Sequence, residues 1–377
     1  MAAIPFNKPK VQGRELEYIR EAIELGQISG DGTFTRRCHE HLERTLGVHK
    51  ALLTHSCTGA LEMAAILLEL KPGDEVIMPS FTFVSTANAV CLRGATPVFV
   101  DIDAETLNIS PKAIEAAITS KTKAIFVVHY AGVVCDMQAI GAIAESNGLT
   151  IVEDAAQALG STYKGQNAGT FGALSAFSFH ETKNIISGEG GALCINDVRF
   201  ADRAEIVREK GTNRSQFFRG AVDKYTWVDL GSSYLPGEII SAFLLGQLEV
   251  EQTVRKGRLD VWHRYDAAFR QSVPEKMARR PIVPGGCEHN AHMYYLLFPD
   301  LDHREAFREY LKSKDIIAPF HYVPLHSSVA GKKFGRTSGS MRVTDSVSNG
   351  LVRLPMFTME DAECQRVIEV VQSYFNA

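Results

Sequence analysis

The order of apolar and polar residues predicts an α/β fold on a mostly parallel sheet, followed by a smaller α+β unit. Two observations carry this reading. Between about residues 50 and 200, short apolar runs alternate with helical patterns, as expected of strands buried on both faces. After about residue 237 the alternation stops, and a long helical pattern leads into a Pro- and Gly-rich stretch and a mixed remainder.

The strand candidates are Ala51–Thr54, Glu75–Met78, Thr96–Val100, Lys123–Val128, Thr150–Glu153, Leu174–Phe179 and Ala192–Ile195. Helix-like segments such as Ala60–Leu70, Pro111–Ile118 and Met137–Asn147 lie between them, and Lys71-Pro72-Gly73 closes the first. This repeat of strand and helix is the signature of a parallel sheet. Glu238 through roughly Ser272 reads as one long helix, and Pro281–Gly286 marks a boundary. Beyond it come a strand (Met293–Phe298), a helix (Arg304–Lys312), a second strand (Ile316–Phe320) and a closing helix from about Met359. The expected organisation is a large domain with an N-terminal arm over 1–236, a long connecting helix over 237–280 and a small domain over 281–377.

At 377 residues, and roughly 150 residues per domain, about two domains are expected. Hydrophobic residues at 45% and charged residues at 22% fit a folded chain rather than a disordered or fibrous one. Forty basic residues against forty-four acidic ones give a net charge of -4 with no long basic stripe, so a nucleic-acid partner is not expected. The first residues lack the charged-then-apolar pattern of a secretory leader, and no stretch reaches the roughly 18 apolar residues of a membrane span. The cytosol is the expected location, with no membrane partner. Seven scattered cysteines without a CxxC pair argue against a disulfide framework and a zinc site, and read as reduced thiols.

Ligands of an open α/β sheet collect past the carboxyl ends of its strands, and three such points carry polar residues. At Thr54-His55-Ser56-Cys57-Thr58-Gly59-Ala60 a strand turns into a helix through small residues. The free N–H groups at such a helix start favour a phosphate, although Ser56 or Thr58 acting as a simple cap is the alternative. At Ile151-Val152-Glu153-Asp154-Ala155-Ala156-Gln157 a strand delivers two carboxylates, which cannot both face one pocket because side chains alternate. The inward one needs a cationic partner, such as a protonated pyridine nitrogen, unless Asp154 only caps the next helix. At Phe177 to Ile185, before Gly188-Glu189-Gly190-Gly191, a lysine follows an aromatic strand. Partial burial there would lower the pKa of Lys183 and free its amine as a nucleophile, whereas most lysines are solvated surface residues. His55 and His180 flank these points without a ligand-like spacing to a carboxylate or cysteine, so no metal is implied.

A phosphate cradle, an acid for a ring nitrogen, and a lysine with Ser178 five residues before it are what a pyridoxal phosphate (PLP) site requires. With these in place the chain resembles the DegT/DnrJ/EryC1/StrS sugar-nucleotide aminotransferases, of the aspartate-aminotransferase-like fold (PLP-dependent transferase fold type I). The resemblance runs from Ile4-Pro5-Phe6 and Ser29-Gly30-Asp31-Gly32 through Pro79-Ser80-Phe81-Thr82-Phe83 to Pro324-Leu325-His326. It implies that Lys183 binds the cofactor covalently and moves the proton, that Asp154 pairs with the ring nitrogen, and that Gln157 approaches the ring hydroxyl. It implies further that Phe83 stacks on the ring, while Cys57, Thr58 and Ser178 hold the phosphate. Tyr322 and His326 contact the sugar or diphosphate on this reading, with a structural histidine as the alternative for His326. The substrates implied are L-glutamate and a 4-keto-6-deoxy sugar nucleotide, and the implied assembly is a homodimer with shared active sites. The family carries an Asn-x-Arg motif that crosses to the neighbour's phosphate, but Ser233 and Leu235 stand at the matching positions here.

Three alternatives differ in sequence. A sugar dehydratase of the same fold replaces the lysine by histidine, and Lys183 is present. A non-catalytic regulator would lose Asp154 or Lys183, or carry a DNA-binding addition. An unrelated nucleotide-binding protein would show GxGxxG or a P-loop at the first strand, and neither is there.

Overall fold

The computed structural model describes residues 2–376; Met1 and Ala377, the outermost residues of the expected domains, lie outside the described residues. The main sheet holds β1 (Lys50–Thr54), β2 (Glu75–Pro79), β3 (Thr96–Val100), β4 (Thr122–Val128), β5 (Thr150–Asp154), β6 (Leu174–Ser178) and β7 (Gly191–Ile195). All seven lie within one residue of the bounds read from the sequence. Their order is β1-β7-β6-β5-β4-β2-β3, and the short strand Arg336–Thr337 joins the β3 edge. β7 runs antiparallel to β1 and β6, whereas the other neighbours pair in parallel.

Alternation along each strand explains why these runs are apolar throughout. Leu53, Ile77, Val98, Ile125, Phe177 and Ala192 enter one buried cluster, while their neighbours Leu52, Val76, Phe99, Phe126, Ala176 and Leu193 enter the cluster on the opposite face. Both faces are covered, so neither tolerates polar positions until the strand ends. At those ends the polar residues begin, and there the site is built.

Three segments depart from expectation. The helix after β1 starts at Cys57 rather than Ala60, because the Ser56 hydroxyl accepts the Gly59 N–H at 3.1 Å and caps it. The long helical stretch is two helices, Glu238–Glu249 and Glu251–Ser272, with a non-helical Val250 between them. The break lets Ala242, Leu244 and Leu248 pack on the main sheet's cluster while Val261, Tyr265 and Phe269 enter a separate C-terminal cluster with Tyr294, Phe307 and Val367. Ile316–Phe320 makes only single bridges, Ile4 to Ile316 and Phe320 to Val352, since Pro319 has no N–H to extend a ladder. The strand pair of this part is Tyr295–Leu297 with Leu351–Arg353.

The Ser29-Gly30-Asp31-Gly32 motif has a structural role. Glu238, 1% exposed, accepts from the Gly32, Phe34 and Thr35 N–H groups at 3.0, 2.7 and 3.0 Å and from the Thr35 hydroxyl, and so caps helix Thr33–Leu46 from the far end of the chain. Among the described residues no helix is long and apolar enough to cross a membrane.

Candidate active site

A cavity of about 680 Å³ opens at the carboxyl ends of β1, β5 and β6, closed on the other side by residues of the C-terminal part. Cys57, Thr58, Phe83, Asp154, Gln157, Ser178, Lys183 and Tyr322 all line it, so one space gathers eight of the ten residues singled out in the sequence.

Asp154 ends β5, and the period of two settles which carboxylate faces inward. Its Oδ2 accepts the Thr86 hydroxyl at 2.8 Å and its Oδ1 accepts the Ala156 N–H at 3.2 Å. Burial raises its pKa, and the Thr86 and Ala156 bonds only partly offset that rise. Glu153 points to the other face, where its carboxylate accepts from Gly169, Phe171 and Gly172 N–H groups at 2.6 to 2.7 Å and from His129 Nε2 at 2.8 Å. The Cys135 N–H donates to His129 Nδ1, which leaves the ring proton on Nε2 for Glu153. Glu153 is therefore satisfied and structural, whereas Asp154 forms no salt bridge among the described residues, and the largest cationic influence on it is that of Lys183.

Lys183 sits in the turn after β6, its N–H bonded to His180 O at 2.8 Å. The turn is tied down by the next residue, since Asn184 donates to Asn290 O at 2.8 Å and meets His292 Nδ1 at 3.0 Å. Burial lowers the pKa of Lys183, and the charges of Cys57 and Asp154 oppose that shift.

Helix Cys57–Leu67 aims its N-terminus at the cavity, and the Cys57 and Thr58 N–H groups make no hydrogen bond among the described residues. The Thr58 hydroxyl meets Ser85 Oγ at 2.7 Å, at the start of helix Val84–Cys91, so two helix N-termini converge on one wall. Gly191 allows this approach: a Cβ there would lie 2.4 Å from Cys57 N. Ser178, the last residue of β6, borders the same corner, and Phe83 presents a ring 58% exposed at the cavity wall. Gln157 spends its carbonyl oxygen on Ala131 N–H at 2.7 Å and donates from Nε2 to the Tyr322 hydroxyl at 3.0 Å.

Two expected residues lie elsewhere. His326 does not line the cavity: its Nδ1 meets Ser80 Oγ at 2.8 Å and its Nε2 lies 3.4 Å from Asp345, a bracing role between the sheet and the C-terminal part. Ser233 is exposed and away from this chain's cavity. His55 packs its ring against Tyr234, while His180 lines the rim.

Arg258, Arg353, His292 and Thr86 were not singled out in the sequence. Arg258 continues the apolar stripe Val254, Val261, Trp262, Tyr265 and Phe269 of its helix, and a charge on such a stripe is a readable signal of a buried polar site. Its guanidinium donates to the Ala291 and His292 carbonyls, and burial brings its pKa down to about 9. Arg353 interrupts the apolar run Leu351 to Pro355 in the same way.

A buried carboxylate without a salt-bridge partner, a partly buried lysine and an N-terminal helix pair around one cavity fit a ring with a protonated nitrogen, a reactive carbonyl and a phosphate. That donor set defines a pyridoxal-phosphate enzyme.

Comparison with known proteins agrees. Residues 9–372 match the model of the DegT/DnrJ/EryC1/StrS aminotransferase family. The spore coat polysaccharide biosynthesis protein SpsC of Bacillus subtilis is 33% identical over 98% of this chain and 96% of its own length. Among solved structures, the putative sugar aminotransferase Spr1654 of Streptococcus pneumoniae in its PLP form superposes with a TM-score of 0.91 at 28% identity, covering 99% of both chains. Helicobacter pylori PseC, an aminotransferase of pseudoaminic acid biosynthesis, gives 0.90 at 25% identity, covering 99% of both. The chain belongs to the DegT/DnrJ/EryC1/StrS aminotransferase family. Its cofactor is pyridoxal phosphate, and its fold is that of the aspartate-aminotransferase-like enzymes.

Proposed function

We propose that the protein transfers the amino group of L-glutamate to C4 of a dTDP-linked 4-keto-6-deoxyhexose. The products are dTDP-4-amino-4,6-dideoxygalactose and 2-oxoglutarate, made in the cytoplasm for a surface polysaccharide of the enterobacterial common antigen type. The observation that carries the reading is that Lys183 and Asp154 line one cavity of about 680 Å³, which leaves room for a substrate beside the cofactor. The segments Ser178-Phe179-His180-Glu181-Thr182-Lys183-Asn184 and Trp227 through Tyr234, which resemble those of dTDP-4-amino-4,6-dideoxygalactose transaminase, favour this sugar.

Pyridoxal phosphate, when bound, supplies the electron sink for breaking the Cα–H bond of the amino donor. The protein's residues do the rest. The Cys57 and Thr58 N–H groups and the Ser178 hydroxyl would hold the cofactor's phosphate, and Phe83, Gln157 and Tyr322 line the space its ring would take. Asp154 would keep a proton on the ring nitrogen. Lys183 Nζ, more readily neutral than an ordinary lysine, would take the proton from Cα of the donor and, in the second half-reaction, deliver a proton to C4 of the sugar.

The functional unit on this reading is a homodimer, with Ser233 reaching the partner's phosphate site. Trp227, Val228 and Leu230, 74%, 50% and 52% exposed beside Ser233, are the apolar surface such an interface would cover. Residues 1–236 form the large domain, 237–280 the connection and 281–377 the small domain. Mixing Ser233→Ala with Lys183→Ala subunits should restore activity under limiting cofactor. A dimer without complementation removes Ser233 from the site.

The test of the reaction is to incubate the protein with pyridoxal phosphate, glutamate and a panel of keto sugar nucleotides, and to identify the product by mass and NMR. Amination at C4 of the dTDP-linked 4-keto-6-deoxy sugar with galacto configuration is expected. Turnover of other sugars only, or amination at another carbon, would overturn the assignment.

A further inference from the structure

The turn that carries Lys183 is held from outside. Between Ser178, where β6 ends, and Gly191, where β7 begins, the chain is neither helix nor strand. Asn184 reaches out of this turn: its Nδ2 donates to Asn290 O at 2.8 Å, and its Oδ1 meets His292 Nδ1 at 3.0 Å. With the amide NH2 committed to a carbonyl, Oδ1 only accepts, so the ring proton of His292 sits on Nδ1. Burial keeps that ring neutral, well below the ordinary histidine pKa. Its Nε2 makes no hydrogen bond among the described residues, and the side chain lines the cavity. The segment that presents His292 is itself clamped. Asn290, 1% exposed, donates to the Gln157 and Leu159 carbonyls, both at 2.9 Å, and accepts the His292 N–H at 3.0 Å. Arg258 holds the Ala291 and His292 carbonyls at 3.2 and 2.9 Å. Between them Ala291, fully buried, takes a left-handed backbone with φ 52°, which a residue with a Cβ adopts only where its surroundings impose it. That reversal sends Asn290 to the Gln157 turn and His292 to the Lys183 turn.

We propose that His292 is a positioning residue for Lys183, acting through Asn184: its Nδ1–H holds the side chain next to the lysine and so fixes where the amine stands. This rests on the reading of Lys183 as the residue that moves the proton, and it names what in the C-terminal part sets that residue's geometry. A base works only within hydrogen-bond reach of the proton it takes, and a misplacement of about 1 Å can cost on the order of a hundredfold. An unsupported turn would let Lys183 wander by that much. The clasp 290–292 prevents it by bonding two turns at once, the one that bears Gln157 and the one that bears Lys183. A neutral ring suits the task, since a charged imidazole beside Lys183 would oppose the lysine's taking up a proton.

Two measurements test this. In the first, the holoenzyme is mixed with glutamate alone, and loss of the visible band of lysine-bound cofactor gives a limiting rate and a half-saturating concentration. His292→Phe, which keeps a ring but no donor, should lower the limiting rate at least about tenfold and leave half-saturation within about threefold. Asn184→Ala should act alike, and the double variant should be no slower than Asn184→Ala, because both lesions break one bond. His292→Asn, whose amide can stand where Nδ1 stands, should recover the rate to within about threefold of the parent. His292→Gln, whose amide stands at the Nε2 position, should not, and these two variants serve if the phenylalanine one does not fold. In the second, histidine 15N NMR of the protein without cofactor should place the His292 proton on Nδ1, and Asn184→Ala should abolish that preference. A proton on Nε2, additive losses in the double variant, or an asparagine variant as slow as the phenylalanine one would overturn the proposal. So would a change in half-saturation instead of rate, which would make His292 a substrate contact. If Lys183→Ala keeps near-normal turnover, it is the lysine reading that fails, and the NMR result judges the Asn184–His292 bond separately.

Discussion

Replacing Thr86 by Val removes one hydroxyl and almost no volume, and the structure says what it should do. Thr86 is fully buried and donates to Asp154 Oδ2 at 2.8 Å, with the Thr82 hydroxyl 3.0 Å behind it. The bond favours the ionised carboxylate, which burial disfavours. A hydrogen bond to a charged group contributes about 1.5–3 kcal/mol. At 1.36 kcal/mol per tenfold, its loss corresponds to roughly a 10- to 150-fold shift of Asp154 towards its neutral form. A neutral Asp154 holds no proton on the ring nitrogen, so the half-reaction with the amino donor should slow, by up to about that factor, at neutral pH. Thr86→Ser, which keeps the hydroxyl, should stay within a few-fold of the parent. Single-turnover rates by stopped flow decide the matter, with thermal unfolding as the control for folding. Equal rates for the valine variant and the parent would refute the idea that Thr86 sets the charge of Asp154.

Three further outcomes are expected. Asp154→Asn should retain cofactor through the phosphate wall yet lose at least about a hundredfold in transamination, measured as cofactor content against turnover; parent-like rates would leave Asp154 only the turn bond to Ala156. The rate at which Lys183 captures added cofactor should rise with pH as the neutral amine forms, and because burial lowers its pKa the midpoint should fall below the ordinary 10.5; a midpoint at or above that value contradicts the burial argument. Glu238→Ala should destabilise the protein by about 3 kcal/mol or more in chemical denaturation, since it strips a buried helix start of its acceptor; a cost under about 1 kcal/mol would mean that water replaces the carboxylate.

The main sheet was legible because both its faces are buried, so each strand is a solid apolar run with polar residues starting at the site end. That Lys183 and Asp154 border one cavity was legible for the same reason, Asp154 ending its strand and Lys183 lying in the turn that follows the next strand of the sheet. What was not legible depends on distant contacts. Nothing local tells that Glu153 is satisfied by the 169–172 turn and His129, or that Glu238 caps a helix two hundred residues earlier. Pro319 was a local warning against a strand at Ile316–Phe320, and Arg258 and Arg353 were charges on apolar patterns. His326 follows a motif that lies close to the site in sequence, but its ring turns to Ser80 and Asp345.

The most direct test of the account is borohydride reduction of the protein with bound pyridoxal phosphate, followed by peptide mapping. A reducible bond between cofactor and lysine should be trapped as a permanent adduct on Lys183, and Lys183→Ala should fold, bind cofactor without the trap and lose turnover. An adduct on any other lysine, or near-normal transamination by the alanine variant, would contradict it.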